Sequence, residues 1–549
     1  YQPAPYSRGG DTVLGSIDAL STTSYLIEGT IAYNTTFGED HSFNVLAGAS
    51  TQEFDNFNYG LSGQNFPTDK TLYYNLGSAE NQFIYSGKQT SKIVSFFSRF
   101  NYGYKDKLLF TATIRGDGAS QFGDNNKWGY FPSASAAWRL SQEDFLKESN
   151  TVTDLKLRVS YGLTGNNNIS PYTSLARVGS SDTYSYDGTG TLIGLGPDGV
   201  FAPNPDLQWE TTSMLNVGLD FAFWNNRVYG SIDAYKSDTD DLIISKPLSS
   251  ASTGNQFIID NVGSMTNKGL EVVLGAKIVD GSDFKWDANI NLSTNENEVT
   301  QLDGDNPITI SVARQPYGEV GEDVFRQIIE GGRIGDFFGY RFRGVLQEGE
   351  VYAPQPNSVE PGTALYEDIN NDGIINSEDR SVIGNANPDF ILGFNNHFEY
   401  KGVYLDMFWQ GVFGNDIFNF KAIAFDRLVG VNAAKRYSDF NTSGTLPGTN
   451  WFDGEYGSYV NDVFIEDGTY LRLKNVSLGY NIKTDNISWI KNINIFLQGQ
   501  NLFTITDYTG FDPEVSFNYS GTQSSVNRGV DDFGYPNYRT YTLGVKANF

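Results

Sequence analysis

The last stretch of the chain, Thr540-Tyr541-Thr542-Leu543-Gly544-Val545-Lys546-Ala547-Asn548-Phe549, alternates without a break. On an extended strand Tyr541, Leu543, Val545, Ala547 and Phe549 share one face, and Thr540, Thr542, Gly544, Lys546 and Asn548 share the other. A strand that is apolar outside, polar inside and ends on an aromatic suits the wall of an outer-membrane β-barrel; it also suits one amphipathic strand of a soluble sheet. The remainder of the sequence decides between the two.

Similar alternation recurs upstream. Val217, Leu219, Phe221 and Phe223 interleave with Asn216, Gly218, Asp220 and Ala222, and Trp286, Ala288, Ile290 and Leu292 interleave with Asp287, Asn289, Asn291 and Ser293. Ser95 to Tyr104, Leu108 to Asp117, Leu155 to Leu163, Val228 to Lys236, Leu270 to Ile278 and Val476 to Ile482 read the same way. Many of these reach the roughly 9 to 11 residues that a tilted strand needs to cross a bilayer. In the barrel reading Trp286, Ile290, Leu292, Leu543, Val545 and Phe549 face lipid, while Asp287, Asn289 and Lys546 face the lumen.

The connections alternate between short and long. Lys105-Asp106, Asn225-Asn226, Gly281-Ser282, Lys401-Gly402 and Thr484 to Lys491 are short; Gly165 to Asp206, Leu302 to Asn387, Asn415 to Asp467 and Asp507 to Asn537 are long. Short periplasmic turns with long external loops mark outer-membrane barrels, whereas a soluble sandwich has no reason to sort loops by parity. From Thr22 onward the count is roughly fifteen strands. That number is odd where bacterial single-chain barrels are even, and unpaired edges are not tolerated in hydrocarbon. The expectation is therefore that residues 1–549 form the C-terminal part of a transmembrane antiparallel β-barrel, with strands before Tyr1 or hidden in a loop.

Composition agrees with an all-β class. Of 549 residues 33 are Tyr, 39 Phe and 59 Gly, against 3 Met and 2 His, which is strand and turn chemistry. No run approaches the roughly 18 uncharged apolar residues of a membrane-spanning helix. The chain has no Cys, which excludes disulfides, thiolate metal sites and thiol nucleophiles. A net charge of −27 argues against nucleic acid or anionic lipid headgroups as partners.

Catalytic motifs fail on inspection. Gly194-Leu195-Gly196-Pro197-Asp198-Gly199 spells a dinucleotide fingerprint but lacks the strand before and the helix after, and it reads as a surface turn. There is no phosphate-binding Gly-Lys-Ser or Gly-Lys-Thr loop. His41 and His397 are far apart and without a neighbouring His or Cys. The acidic residues include no distinguished pair, so the chain is not expected to be an enzyme.

One motif carries metal chemistry. In Asp368-Ile369-Asn370-Asn371-Asp372-Gly373-Ile374-Ile375-Asn376-Ser377-Glu378-Asp379, oxygen side chains occupy positions 1, 3, 5, 9 and 12, and Gly occupies position 6. That is the spacing of a Ca2+ loop in which Asp368, Asn370, Asp372, Asn376 and Asp379 are ligands and Ile374 offers its carbonyl. Asp at position 12 reaches less far than the usual Glu, so weak binding is expected, sufficient for an external, structural ion. An Asn/Asp-rich turn without an ion is the alternative. Aromatics in the long loops, Trp451, Tyr456, Tyr459, Tyr508 and Phe511, are candidates to stack on sugar rings or pack against a peptide; filling a loop's own small core is the plainer role.

Several motifs in fixed order carry a resemblance. Arg115-Gly116-Asp117-Gly118-Ala119-Ser120-Gln121-Phe122-Gly123 with Trp128 to Ser133, Leu157 to Asn166, Asn204-Pro205-Asp206-Leu207-Gln208-Trp209-Glu210, Asn267 to Glu271, Val382 to Pro388 and Phe408 to Asp416 together resemble SusC/RagA-type TonB-dependent transporters of Bacteroidetes outer membranes. The resemblance implies a 22-stranded barrel plugged by an N-terminal domain, energised through TonB, and capped by a SusD-like lipoprotein, importing oligosaccharides or peptides. The plug and the TonB box lie outside this sequence, so TonB would act through a part that is not here. A passive porin or surface adhesin, and a secreted calcium-dependent glycan-degrading enzyme, are the rival readings.

Overall fold

The structure, a computed structural model, describes residues 14–68, 70, 72–185, 191–197, 200–248, 256–304, 307–311, 324–355, 361, 363–419, 460–483, 489–490, 492–515, 528–531 and 534–548. Among these the dominant element is a sixteen-stranded antiparallel sheet. Fifteen strands pair in sequence order: β1 (Leu14–Phe37), β2 (His41–Gln64), β3 (Asn81–Tyr104), β4 (Leu108–Ala119), β5 (Trp128–Arg139), β6 (Val152–Asn166), β7 (Glu210–Phe223), β8 (Val228–Asp240), β9 (Ser264–Asp280), β10 (Phe284–Ser293), β11 (Phe390–Tyr400), β12 (Val403–Phe413), β13 (Tyr470–Lys483), β14 (Asn492–Thr506) and β15 (Thr540–Asn548). The sixteenth, Glu296–Gln301, pairs with β9. This up-and-down order is the all-β, antiparallel barrel class expected from the alternation.

Two of the connections expected to be short are tight left-handed turns. Lys105 and Asp106 sit at φ 50° and 53°, and Lys401 and Gly402 at 48° and 87°, the left-handed pairs whose twist matches the strands they join. The long connections, by contrast, are not irregular throughout. They hold two-stranded ribbons such as Val178–Ser185 with Thr191–Pro197, Asp336–Gly339 with Ser381–Asn385, and Asp416–Phe418 with Ile465–Asp467. Gly194 and Gly196 pair with Asp182 and Gly179 inside the first ribbon, so the expected surface turn is a strand. A loop too long to stay solvated satisfies its backbone with its own hydrogen bonds.

Two compact units divide the chain. The first comprises Tyr1–Ala136, Ser160–Ser213 and Thr239–Val262; the second comprises Ala137–Val159, Met214–Asp238 and Gly263–Phe549.

In the first unit β1, β2 and β3 run 24 residues each in unbroken register, over twice what a bilayer requires. One face is banded. From the turn end its rows read Phe37/His41/Tyr104, Thr35/Phe43/Tyr102 and Tyr33/Val45/Phe100, then Ile31/Ala47/Ser98, Gly29/Ala49/Phe96 and Ile27/Thr51/Val94. The aromatic rows pack on themselves, Phe43 lying 4.9 Å from Tyr102 and 5.2 Å from Phe37. Next come charged rows, with Lys92 3.6 Å from Glu53 and Lys88 3.4 Å from Asp55. An aromatic girdle, an apolar band and a charged boundary follow the profile of a bilayer. The opposite face is polar: Asn34, Asn44, Asn101 and Thr111 form one row across β1 to β4, in which Asn101 Nδ2 donates to Asn44 Oδ1 at 2.8 Å and Thr111 Oγ1 donates to Asn101 Oδ1 at 2.9 Å. Asn44 donates to Asn34.

In the second unit the same division holds. Ile290, Leu543 and Val545 are exposed on the apolar face, and Trp286 stacks on Phe398 at 5.4 Å on that face. Asn396, also there, accepts from the Trp286 indole at 3.2 Å, which satisfies the one amide in this row. No second sheet covers these residues among those described, as a sandwich would require. Phe549 lies outside the described residues.

The external loops of the second unit build a core of their own. Phe337, Tyr340, Leu346, Tyr366, Ile375, Phe418, Phe464 and Val530 are buried together. Gln355, fully buried, donates to the Ala364 carbonyl at 3.0 Å and accepts from the Tyr366 amide at 2.7 Å, so its side chain pairs with the backbone of Ala364–Tyr366 as a strand would. At about 1.5 to 3 kcal/mol per fully buried large side chain, such a cluster contributes substantially to ordering these loops.

Candidate functional site

The polar face is the surface with chemistry to offer. In the first unit Arg115 and Asp117, two residues apart on β4, point the same way. Arg115 Nε donates to both Asp117 oxygens at 2.8 Å, and its terminal nitrogen reaches Ser95 Oγ at 2.8 Å. These groups line a cavity of about 440 Å³ together with Gln52, Phe131, Asn167 and Trp209. Below it Phe122, Phe131, Leu207 and Trp209 form a buried aromatic cluster, with ring centroids 4.8 and 5.4 Å apart about Trp209. The Trp209 indole donates to the Lys127 carbonyl at 3.1 Å. Residues 115–123 and 204–210, separate in sequence, are thus one structural joint: Gly123 N–H donates to the Leu207 carbonyl at 3.0 Å.

In the second unit Arg158 of β6 forms a bidentate pair with Asp220 of β7 at 2.8 and 2.9 Å, and reaches Asp233 of β8 at 3.0 Å. Lys156 also meets Asp220, at 2.7 Å. Two cations and two carboxylates on adjacent strands neutralise one another and leave a partly buried patch balanced in charge. Sequence reasoning missed this cluster. Its signal was present, because Lys156, Arg158, Asp220 and Asp233 all occupy the polar phase of their strands. Further round, Asp287, Asn289, Asn395, His397, Asp406, Phe408 and Asn475 line another cavity, where His397 Nδ1 lies 2.5 Å from Asp406 Oδ1.

The expected calcium loop is compact. Asp368 Oδ2 accepts from the Gly373 amide at 2.9 Å, Asp372 Oδ1 from Ile374 at 2.8 Å, and Asn376 Oδ1 from Glu378 at 2.7 Å. Asp379 is fully buried and accepts from Ile369 and Asn376 at 2.9 and 2.8 Å. The loop's oxygens therefore have backbone partners. Among the described residues no three Asp, Glu or His side chains converge closely enough to hold a metal by themselves, so Asn side chains and the Ile374 carbonyl would have to complete any set.

Of the aromatics proposed for ligand contact, Tyr508 is corrected. Its ring is buried and its hydroxyl donates to Asp531 Oδ2 at 2.7 Å, so it fastens the last loop and offers no open face. Burial and the Asp531 carboxylate push its phenol well above the ordinary tyrosine range. Phe511 is exposed. Trp451, Tyr456 and Tyr459 lie outside the described residues.

Residues 3–502 match the family model described as TonB dependent receptor-like, beta-barrel. The chain belongs to this TonB-dependent receptor family. It is 36% identical over 539 residues to TonB-dependent receptor P3 of Formosa agariphila, covering 96% of this chain and 52% of that protein. It is 30% identical over 529 residues to TonB-dependent receptor SusC of Bacteroides thetaiotaomicron, covering 93% and 48%. The chain thus spans about half the length of the curated relatives it matches. Among solved structures it resembles the RagAB peptide importer in the "open-open" state, with a TM-score of 0.81 and 25% identity, over 100% of this chain and 57% of that one.

As a TonB-dependent receptor barrel of the SusC type, the protein resides in the outer membrane. Its apolar face is the lipid face and its polar face, with the Arg115 and Arg158 clusters, is the lumen wall. The family motifs around Arg115, Phe122 and Trp209 are thereby accounted for by the joint they build.

Proposed function

We propose that this chain is the pore-forming, C-terminal part of a TonB-dependent importer that carries oligosaccharides or peptides inward together with a SusD-like surface lipoprotein, TonB acting through a part of the protein beyond this sequence. The observation that carries the reading is the lumen wall of a TonB-dependent receptor barrel: amide ladders and internally neutralised charge clusters bind water and polar cargo without trapping either sign of charge. Passage, not bond cleavage, is what such a wall does. The test is uptake of labelled peptides and malto-oligosaccharides by cells carrying the full-length receptor, with and without TonB and the adjacent lipoprotein. TonB-independent uptake would make it a porin, and cleavage of cargo by the purified protein would make it an enzyme.

A structural Ca2+ held by Asp368, Asn370, Asp372, the Ile374 carbonyl, Asn376 and Asp379 is a separate part of this reading. The ligand spacing supports it, as does the bond from the Gly373 amide to Asp368, which turns the loop inward. The ion would staple an external loop and take no part in transport.

A further inference from the structure

Among the described residues the upper half of β3 has one partner strand instead of two. From Tyr104 to Ile93 it is flanked by β2 and β4, but β4 ends opposite Ile93, at Ala119. Above that point, among the described strands, Asn81 to Lys92 pair with β2 and no other. Among the described residues the edge is closed at its lower end: Lys92 exchanges bonds with Ser120, its amide donating to Ser120 Oγ and its carbonyl accepting from the Ser120 amide, both at 2.9 Å, and the Thr90 amide donates to the Tyr172 hydroxyl at 3.0 Å.

Because the register is unbroken, the even-numbered residues present their backbone to that side. Among the described residues the edge-facing N–H and C=O groups of Gln82, Ile84, Ser86 and Lys88 meet no strand. This segment stands above the charged rows at Lys92 and Asp55, outside the bilayer, and Ile84 is 79% exposed. A long bare edge is a template for pairing, which proteins normally shorten, bulge or cover.

We propose that the open edge of β3 between Gln82 and Lys88 captures peptide cargo as an added β-strand, in line with β4. The proposal rests on the import reading, in its peptide form. Only a polypeptide backbone presents donors and acceptors at the repeat this edge offers; a glycan does not. Four edge residues engage about seven residues of an extended peptide, far less surface than the roughly 1,200 Å² or more of a stable protein–protein interface, which fits transient cargo better than a resident partner. A second copy of the receptor is a poor occupant. Two barrels in one membrane keep the same up-direction, so their β3 edges would run parallel, with Lys88 opposite Lys88. Main-chain capture is also indifferent to side-chain sequence.

The test is binding of a fluorescein-labelled seven-residue peptide of alternating Thr and Val to the purified full-length receptor. Methylating alternate backbone nitrogens along one edge of the peptide should abolish binding, and methylating the other edge should leave it intact. Ser86→Pro removes one donor from the open edge without touching the β2 ladder and should weaken binding roughly 3- to 10-fold. Equal effects of the two methylation patterns would overturn the proposal, and they do so on the wild-type protein even if the proline variant misfolds. So would photo-cross-links from position 88 that land on the receptor's own chain or on a second copy. TonB-dependent uptake by cells is scored separately: edge-specific binding without uptake refutes the import reading alone, and uptake without edge-specific binding refutes the capture site alone.

Discussion

Gly123 rests on Pro205 so closely that a Cβ built there would overlap the Pro205 carbonyl oxygen. The contact joins two segments 82 residues apart and seats Phe122 beside Trp209. Gly123→Ala should therefore cost about 1 to 3 kcal/mol through forced displacement of one segment. Heat-modifiability of the full-length receptor on semi-native gels measures this, and an unchanged melting temperature would count against the joint.

Ile290 lies exposed on the lipid face of β10. Ile290→Arg should destabilise the barrel by up to about 2 to 4 kcal/mol if the site is near the bilayer midplane. Reversible unfolding in lipid vesicles reads the difference; Asn289→Arg, on the lumen face, should cost clearly less.

Tyr508→Phe removes the hydroxyl that donates to Asp531. Leaving a buried carboxylate short of one donor should cost about 1 to 3 kcal/mol, seen as faster proteolysis of the final loop, without the loss of ligand stacking that a contact residue would show.

Two loop carboxyls predict opposite pH responses. Burial, with the nearby Asp467 and Asp389, raises the Asp416 pKa against the lowering effect of the Asn385 amide. Its contribution to folding is greatest below the unfolded pKa of about 4 and is lost as pH rises through the folded value. Asp416→Asn should accordingly make the external loops more protease-resistant at pH 7, with the advantage fading on acidification. Burial also opposes ionisation at Asp512, but the Arg472 guanidinium and the amides of Glu514 and Asn537 outweigh it and hold the pKa below the usual value. Its stabilisation is present above the unfolded pKa and is lost as pH falls through the folded one, so Asp512→Asn should loosen the last loop at neutral pH.

For the calcium loop, calorimetry of the full-length receptor should show calcium uptake that Asp372→Ala abolishes, while barrel assembly is unaffected. Absence of uptake by the wild type would remove the ion and leave the transport reading standing.

The strands, their faces, the short turns and the family were legible in the sequence, because a membrane wall imposes a period of two and a parity on its loops that no local contact has to explain. Ile290 and Asn289 could be assigned to opposite faces from alternation alone, and Lys105-Asp106 and Lys401-Gly402 could be read as turns from the short gap between alternating segments. What alternation cannot carry is which distant segments meet. That Arg158 spans Asp220 and Asp233, that Gly123 needs Pro205, that Tyr508 is spent on Asp531, and that β4 stops opposite Ile93 and leaves the upper part of β3, among the described residues, with β2 as its one partner strand are facts of register and loop packing. They depend on where each strand ends relative to its neighbour, and only the tertiary structure decides that.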